Sequence, residues 1–245
     1  MGAFKISFLS RILDIIGPRR CAICKSRLAV TEQGICACCN RHLPRTDFGK
    51  SPEDNMMARL LWGRIPIVRC AALYYHESHS QTGRLVYAIK YHDAPELARI
   101  MGRMMAEELS LESHPQEDGA LASVFEGVTM LLPIPLTRKR QQERGYNQSA
   151  EIAEGISEVT HLPIEKRALR RISFHGSQTQ KDKWERNENV EGAFELVDYS
   201  RVEGQHVLIV DDVMTTGATV TACARELLRA KDVTVSVLTL CFAKS

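Results

Sequence analysis

The segment at residues 206–219, HVLIVDDVMTTGAT, constrains the fold more than any other part of the chain. An apolar run at 207–210 leads into Asp211 and Asp212, and a threonine-rich loop around Gly217 follows. Residues 219–230 then show apolar side chains at helical spacing. A short apolar run is typical of a parallel strand that is buried on both faces. The order strand, acidic pair, loop and helix predicts an open α/β sheet with a ligand site beyond the end of this strand.

The chemistry of this segment suits a sugar that carries a phosphate. Ionised carboxylates only accept hydrogen bonds, so Asp211 and Asp212 suit the hydroxyl groups of a ribose. The free amides and the positive dipole end at the start of a helix attract a phosphate, and Gly217 permits close approach of the backbone. The predicted phosphate loop consists of Thr215, Thr216, Gly217, Ala218 and Thr219. Each piece alone is common in turns and solvated loops, but their order favours a site.

The composition bounds the alternatives. A chain of 245 residues with 44% hydrophobic and 25% charged residues is an ordinary globular protein, and its net charge of +2 gives no bulk attraction to nucleic acid. The apolar stretch at 1–18 is interrupted by Arg11 and Asp14, so it predicts an amphipathic helix rather than a secretory signal. No apolar run is long enough to cross a bilayer, so we expect a cytoplasmic protein without membrane insertion.

Five cysteines lie close together near the N-terminus. Cys21 and Cys24 form one CxxC pair, and Cys36 and Cys39 form a second. Two such pairs predict a structural zinc ion held by four thiolates, and a disulfide framework is less consistent with a reducing compartment. Cys38 lies inside the second pair, and the sequence leaves open whether it replaces Cys36 or Cys39 as a ligand.

The remaining pattern alternates strands with helices. Strands are predicted at 68–75, 128–132, 168–172, 192–197, 206–210 and 233–240, and helices at 81–91, 94–109, 147–160 and 219–230. The alternation predicts a mostly parallel sheet with helices on both faces. We expect three parts: a helix and zinc-knuckle module over 1–45, a connector over 46–66 and a main α/β domain over 67–245.

Two more segments point to the same edge of the sheet. Residues 132–148 follow a strand and precede a helix, and their basic side chains, Arg138, Lys139, Arg140 and Arg144, suit a pyrophosphate. A solvated basic loop is the alternative. The polar segment 178–194 is either a lid over the site or a surface excursion.

These motifs together resemble the ComF family, some of whose members are labelled GntX. The resemblance rests on the paired CxxC knuckles and on five segments: Leu85-x4-Lys90-Tyr91, Pro133-x-Pro135-Leu136, Arg144-Gly145-Tyr146-Asn147-Gln148, Gln178 to Phe194, and Val210 to Thr219. This family joins a zinc knuckle to a fold like that of type I phosphoribosyltransferases, and it is associated with competence and DNA utilisation. His92-Asp93 departs from the family, in which a glycine usually follows at the second position.

The resemblance implies a site for phosphoribosyl pyrophosphate (PRPP), with Mg²⁺ bound alongside. It assigns the ribose hydroxyls to Asp211 and Asp212, the 5-phosphate to the loop at 215–219, and the pyrophosphate to Pro135, Arg138 and Arg144. Phosphoribosyl transfer with loss of pyrophosphate is one hypothesis, and the sequence identifies no acceptor. The alternative is a non-catalytic adaptor or single-stranded-DNA-handling protein that works with other competence proteins and uses the fold to sense a ligand.

Overall fold

The computed structural model describes residues 17–91, 94–112, 114–115, 121–172 and 192–243. Its helices are α1 Ala37–His42, α2 Met56–Leu61, α3 Gln81–Tyr91, α4 Pro95–Leu111, α5 Arg138–Arg144, α6 Gln148–Thr160 and α7 Ala218–Leu227. Its strands are β1 Cys70–His76, β2 His114–Pro115, β3 Leu121–Ala122, β4 Met130–Pro133, β5 Leu169–Arg171, β6 Phe194–Leu196, β7 His206–Met214 and β8 Thr234–Ala243. Nearly all of the predicted N-terminal helix, most of the polar segment 178–194, and His92-Asp93 lie outside the described residues.

A parallel sheet forms the centre of the molecule. Its four strands lie in the order β1-β8-β7-β4, and every neighbouring pair is parallel. Residues 207–210 of β7 are all buried, although successive side chains of a strand point to opposite faces. Both faces of β7 are therefore covered, which confirms the predicted α/β class. Two antiparallel ribbons, β2-β3 and β5-β6, lie outside this sheet.

Helices α4 and α6 pack backbone against backbone. A Cβ added at Gly102 of α4 would overlap the carbonyl of Ile152, and one added at Gly155 of α6 would overlap the carbonyl of Arg99. Only glycine allows this approach on both helices. Because α6 also packs against β4 and β7, this contact fixes the start of α6 beside the carboxyl edge of the sheet.

Two elements differ from the sequence prediction in a way that affects the site. Strand β7 does not end at Val210: its pairing with β8 continues to Met214, so Asp211 and Asp212 lie inside the strand. The ladder continues because β8 extends to Ala243 and supplies partners for these residues. The basic residues at 138–144, predicted as a loop, form α5, whose first turn is capped by the Thr137 hydroxyl.

The segment predicted as a connector, 46–66, packs against the sheet. Asn55 caps α2 by accepting from the amides of Met57 and Ala58, and its side-chain amide donates to the carbonyl of Cys70 in β1 at 2.8 Å. The Thr46 hydroxyl donates to the carbonyl of Ala72. These bonds anchor both ends of the stretch from Thr46 to the start of α2 on the edge strand β1. In the described part of the chain, no helix has both the length and the apolarity to span a membrane.

Candidate ribose-phosphate site and cysteine cluster

Asp211 and Asp212 have different neighbours because adjacent side chains of a strand point to opposite faces. One Oδ of Asp211 accepts from the Ser149 hydroxyl of α6 at 2.9 Å and from the Asp212 amide at 2.9 Å. Asp212 is 7% exposed, and its Oδ2 lies 3.2 Å from Lys90 Nζ of α3. The pair therefore links α6 on one side of β7 with α3 on the other.

The charge of the pair is only partly neutralised. Burial, followed by the charge of Asp212, raises the pKa of the Asp211 carboxyl to about 7, while the bond from Ser149 opposes this rise. A carboxyl with such a pKa exchanges its proton near neutral pH.

The loop after β7 leaves the start of α7 open to a ligand. Gly217 occupies the N-cap position with φ of 76° and has no side chain to accept from the first amides of the helix. By contrast, side chains cap α1, α2, α5 and α6. Within the loop, the Ala218 amide donates to the Thr216 hydroxyl at 3.4 Å. The amides and the dipole of an uncapped helix start form an anion-binding geometry.

The phosphate loop is held from the segment 46–66. Arg64 Nη1 donates to the Thr216 carbonyl at 2.9 Å. A Cβ added at Gly217 would lie 3.0 Å from Met214 Cε and 3.1 Å from Leu61 Cδ2, so the loop backbone sits tightly on α2. This support was not predicted, because nothing in residues 46–66 indicates a contact with a loop so distant in the sequence.

The motif at 144–148 joins the elements that surround the acidic pair. The Tyr146 hydroxyl donates to the carbonyl of Ile89, the residue before Lys90. Asn147 caps α6, and its Nδ2 donates to the Ile134 carbonyl at 3.0 Å. These bonds position Lys90 of α3 and the start of α6 relative to the end of β4.

The three residues predicted to bind pyrophosphate come from two places: Pro135 follows β4, and Arg138 and Arg144 are the two ends of α5. The Ile134 amide donates to the Val210 carbonyl at 3.0 Å, so the chain runs beside β7 up to Pro135. Arg138 begins α5 and is exposed. Arg144 ends α5, donates to Gln148 Oε1 at 2.8 Å and places its guanidinium 5.8 Å from the ring centroid of Tyr91. In the described residues, neither arginine forms an ion pair with Asp211 or Asp212.

Four residues near the pair were not predicted to take part in the ribose-phosphate site. Ser149 and Lys90 contact the two carboxylates directly, and Lys90 was recognised only as part of a family motif. Burial, and then the charge of Lys90, lower the pKa of His76 at the end of β1. Burial, and then the charge of Arg140, lower the pKa of Arg171, whereas the charge of Asp211 raises it. Their proximity depends on the tertiary fold, so no local pattern indicates it.

The predicted cysteine cluster forms. The sulfurs of Cys21, Cys24, Cys36 and Cys39 all lie within 4.8 Å of one another, and those of Cys24 and Cys36 are 3.7 Å apart. A tetrahedral ion with metal–sulfur bonds of about 2.3 Å holds its ligands about 3.8 Å apart. The Cys36 amide donates to Cys21 Sγ and the Cys39 amide to Cys36 Sγ, which stabilises thiolates. This donor set fits a structural metal.

Cys38 lies outside this cluster. It is exposed, and its sulfur faces His42 Nδ1 of the next helical turn at 3.9 Å. The ambiguity in the sequence is therefore resolved in favour of Cys36 and Cys39.

Comparison with known proteins agrees with this architecture. Residues 132–245 match the phosphoribosyl transferase domain family. The DNA utilization protein YhgH of Escherichia coli O157:H7 is 28% identical over 232 residues, which cover 91% of this chain and 97% of that protein. Competence protein ComFC of Bacillus subtilis is 38% identical over 112 residues, or 45% of this chain and 43% of that one. This chain belongs to the ComF family. Its members thus include both DNA-utilisation and competence proteins.

A solved structure shows a weaker similarity. The glutamine PRPP amidotransferase of B. subtilis, solved with ADP and GMP, is 19% identical with a TM-score of 0.37. The match covers 62% of the ComF-family chain and 30% of that enzyme.

Proposed function

We propose that this ComF-family chain binds PRPP or a related ribose 5-phosphate compound, together with Mg²⁺, and acts in DNA utilisation. The observation that carries the proposal is the junction of β7 and α7. There, a partly neutralised acidic pair is followed within a few residues by an uncapped helix start on Gly217. A ribose 5-phosphate needs both kinds of group side by side, because its hydroxyls and its phosphate lie at opposite ends of one sugar.

Each part of the ligand has a partner in this proposal. Asp211 and Asp212 accept from the ribose hydroxyls, and the loop at 215–219 donates amides and hydroxyls to the 5-phosphate. Pro135 lines the space where the pyrophosphate lies, beside the end of β7, and Arg138 and Arg144 of α5 supply positive charge to it.

The hard carboxylate oxygens of the acidic pair suit Mg²⁺, which supplies positive charge to the pyrophosphate when bound. If the chain is a transferase, a nucleophile forms a bond to the anomeric carbon while the bond to pyrophosphate breaks. Asp211 and Asp212 orient the sugar and stabilise the positive charge that develops on its ring. Lys90 holds Asp212 in place before the ligand arrives. Catalysis is then mainly a matter of positioning.

The cysteine cluster completes the proposal as a structural zinc site. Four thiolates at tetrahedral spacing are the ligand set that zinc prefers in proteins, and all four positions are filled by the chain. A site with no open position supports folding and not chemistry. The zinc therefore belongs to the N-terminal module and takes no part in the transfer.

The decisive experiment measures Mg²⁺-PRPP binding by calorimetry and pyrophosphate release with a panel of nucleobases, amines and single-stranded DNA. We expect binding with a dissociation constant in the micromolar range and weaker binding in Arg138→Ala and Arg144→Ala. Gln142→Ala is a matched control from the same helix, because its side chain is exposed and carries no charge. Binding without pyrophosphate release from any acceptor would favour the adaptor hypothesis. Absence of binding would refute the site.

A further inference from the structure

A cleft of about 500 Å³ lies between α3 and the zinc-knuckle module, beside the acidic pair. The module contributes Ala22, Ile23 and Lys25 to its lining. Lys90 lines the same cleft and pairs with Asp212. The cleft therefore adjoins the proposed ribose-phosphate site and shares Lys90 of α3 with it, but the rest of its lining comes from other residues. Its volume is within the range of small-molecule sites in proteins.

Two tyrosines of α3 form an exposed aromatic wall on this cleft. Tyr87 and Tyr91 lie one helical turn apart, and their ring centroids are separated by 4.8 Å. They are 57% and 61% exposed, which is unusual for large aromatic side chains placed side by side. Exposed rings in contact offer a surface on which a planar base stacks, and such stacking contributes substantially to affinity.

The charge of the cleft is of one sign. Lys25, Arg84 and Lys90 line it, and among the described residues no aspartate or glutamate does. Neither Lys25 nor Arg84 forms an ion pair within the described part of the chain. Arg144 adds a further positive charge at Tyr91. The charges therefore favour an anion, and the rings favour an aromatic one.

A buried polar atom in the lining also lacks a partner. His76 Nδ1 is buried and forms no hydrogen bond with the described residues. A buried ring nitrogen without a partner costs free energy, and a hydrogen bond from a ligand would recover it. His76 is one of the residues that line the cleft, so the unpartnered atom belongs to the wall of this cavity.

We propose that this cleft binds a nucleotide, with its base against Tyr87 and Tyr91 and its phosphate near Lys25 and Arg84. The nucleotide is either a free mononucleotide or one unit of single-stranded DNA, because both present a planar base next to a phosphate. The zinc-knuckle module forms one wall, so it takes part in ligand binding as well as in folding. This site does not depend on PRPP binding at the end of β7.

The test measures binding of dAMP by calorimetry and of a fluorescein-labelled dT12 by anisotropy, both without PRPP. The variants are Tyr87→Ala combined with Tyr91→Ala, and Lys25→Glu combined with Arg84→Glu. Two control variants change residues that do not line the cleft. Tyr199→Ala removes an aromatic ring that is 37% exposed, and Lys231→Glu reverses a charge just before the amino end of β8. All the variants change exposed side chains, and thermal unfolding checks that each one is folded.

We expect each double variant to weaken binding by about tenfold or more, and the two controls to leave it unchanged. If dAMP displaces dT12, the site takes a single nucleotide; if only dT12 binds, the site serves a strand. Failure of both probes to bind, or equal binding by the tyrosine variant and the wild type, would overturn the proposal. Mg²⁺-PRPP binding, measured on the same variants, should persist, so this proposal and the previous one can fail separately.

Discussion

The cysteine cluster and the ribose-phosphate site are assembled over very different distances along the chain. The sulfurs of Cys24 and Cys36 come from residues 12 apart in sequence. The bond from Ser149 to Asp211 joins residues 62 apart, and that from Arg64 to Thr216 joins residues 152 apart. The first site needs one local segment, whereas the second needs the whole α/β domain. The two sites should therefore respond differently to removal of a single part.

The largest effect is expected at the cysteine cluster. Cys21→Ser combined with Cys24→Ser removes two of four ligands, so we expect loss of one zinc per chain and unfolding of residues 18–43. Structural zinc contributes about 10–16 kcal/mol in isolated zinc-finger peptides, and here the loss is confined to the module. Metal analysis of protein purified in reductant measures the zinc, and hydrogen exchange locates the unfolding.

Cys38→Ser is the matched control, because Cys38 is a neighbouring thiol outside the cluster. It should keep the full zinc content. Retention of all zinc by the double variant would show that the cluster is not the metal site. Unfolding that spread to the parallel sheet would show that the module and the α/β domain are not separable.

The second effect is expected at Gly217, in the phosphate loop of the ribose-phosphate site. Gly217→Val places a branched side chain at φ of 76° and against Met214 and Leu61, so we expect Mg²⁺-PRPP to lose its stabilising thermal shift. Gly204→Val is the control for backbone strain: Gly204 has φ of 69°, and a Cβ there meets nothing within 4 Å. A folded Gly217→Val protein with the full shift would exclude the loop as the phosphate site.

The difference between the local cysteine cluster and the long-range ribose-phosphate site also explains which features the sequence predicts. The cysteine ligands and the loop around Gly217 are encoded by short patterns whose spacing carries the geometry. The central strand of the sheet can also be predicted from the sequence. The apolar run at 207–210 can only be a buried strand or helix segment, and its length favours a strand.

The partners of the acidic pair are not encoded in this way. Ser149 is an ordinary serine in the first turn of a helix, and its role arises because the fold packs α6 against β7. The extension of β7 through Asp211 and Asp212 depends on the length of β8, a strand that no residue near the pair indicates. The partners of the acidic pair and the length of β7 are therefore set by tertiary contacts, which a local sequence pattern does not reveal.

The third effect concerns the ion pair between Asp212 and Lys90, which Asp211 does not share. Asp212→Asn leaves Lys90, whose side chain is 22% exposed, without its charged partner. We expect the free energy of unfolding to fall by about 1–3 kcal/mol. Denaturant unfolding measures this loss. In a double-mutant cycle with Lys90→Met, the combined loss should be smaller than the sum of the single losses. Simple additivity would mean that the ion pair does not contribute to stability.

The fourth effect depends on pH and concerns Asp211. Its folded pKa of about 7 lies above the ordinary value of 3.8, so the folded state holds the proton more tightly than the unfolded state. Its contribution to stability is therefore full below pH 4 and falls as the pH rises from 4 to 7. Asp211→Asn should remove this loss, so its gain in stability over the wild type should grow from about 1–2 kcal/mol at pH 5 to several kcal/mol at pH 7 and then level off.

The same substitution should weaken Mg²⁺-PRPP binding, since the ligand needs the charged carboxylate. Wild-type affinity should rise with pH through 7, whereas the affinity of Asp211→Asn should stay level. Parallel pH profiles for the two proteins, in both stability and binding, would show that Asp211 does not titrate in this range.

The smallest effect tests whether Ser149 positions Asp211 or merely supports the helix. Ser149→Ala removes a hydroxyl that lowers the pKa of Asp211, so we expect the pH at which Mg²⁺-PRPP affinity rises to move upward by less than about one unit. Stability should fall by about 0.5–1.5 kcal/mol, as for one lost hydrogen bond. Ser157→Ala is the control on the same helix: its hydroxyl donates to the Leu162 carbonyl at 2.7 Å, far from the acidic pair. Both variants should lose similar stability, but only Ser149→Ala should move the pH profile. An unmoved profile would assign Ser149 to the packing of α6, and the acidic pair would then depend on Lys90 and the backbone alone.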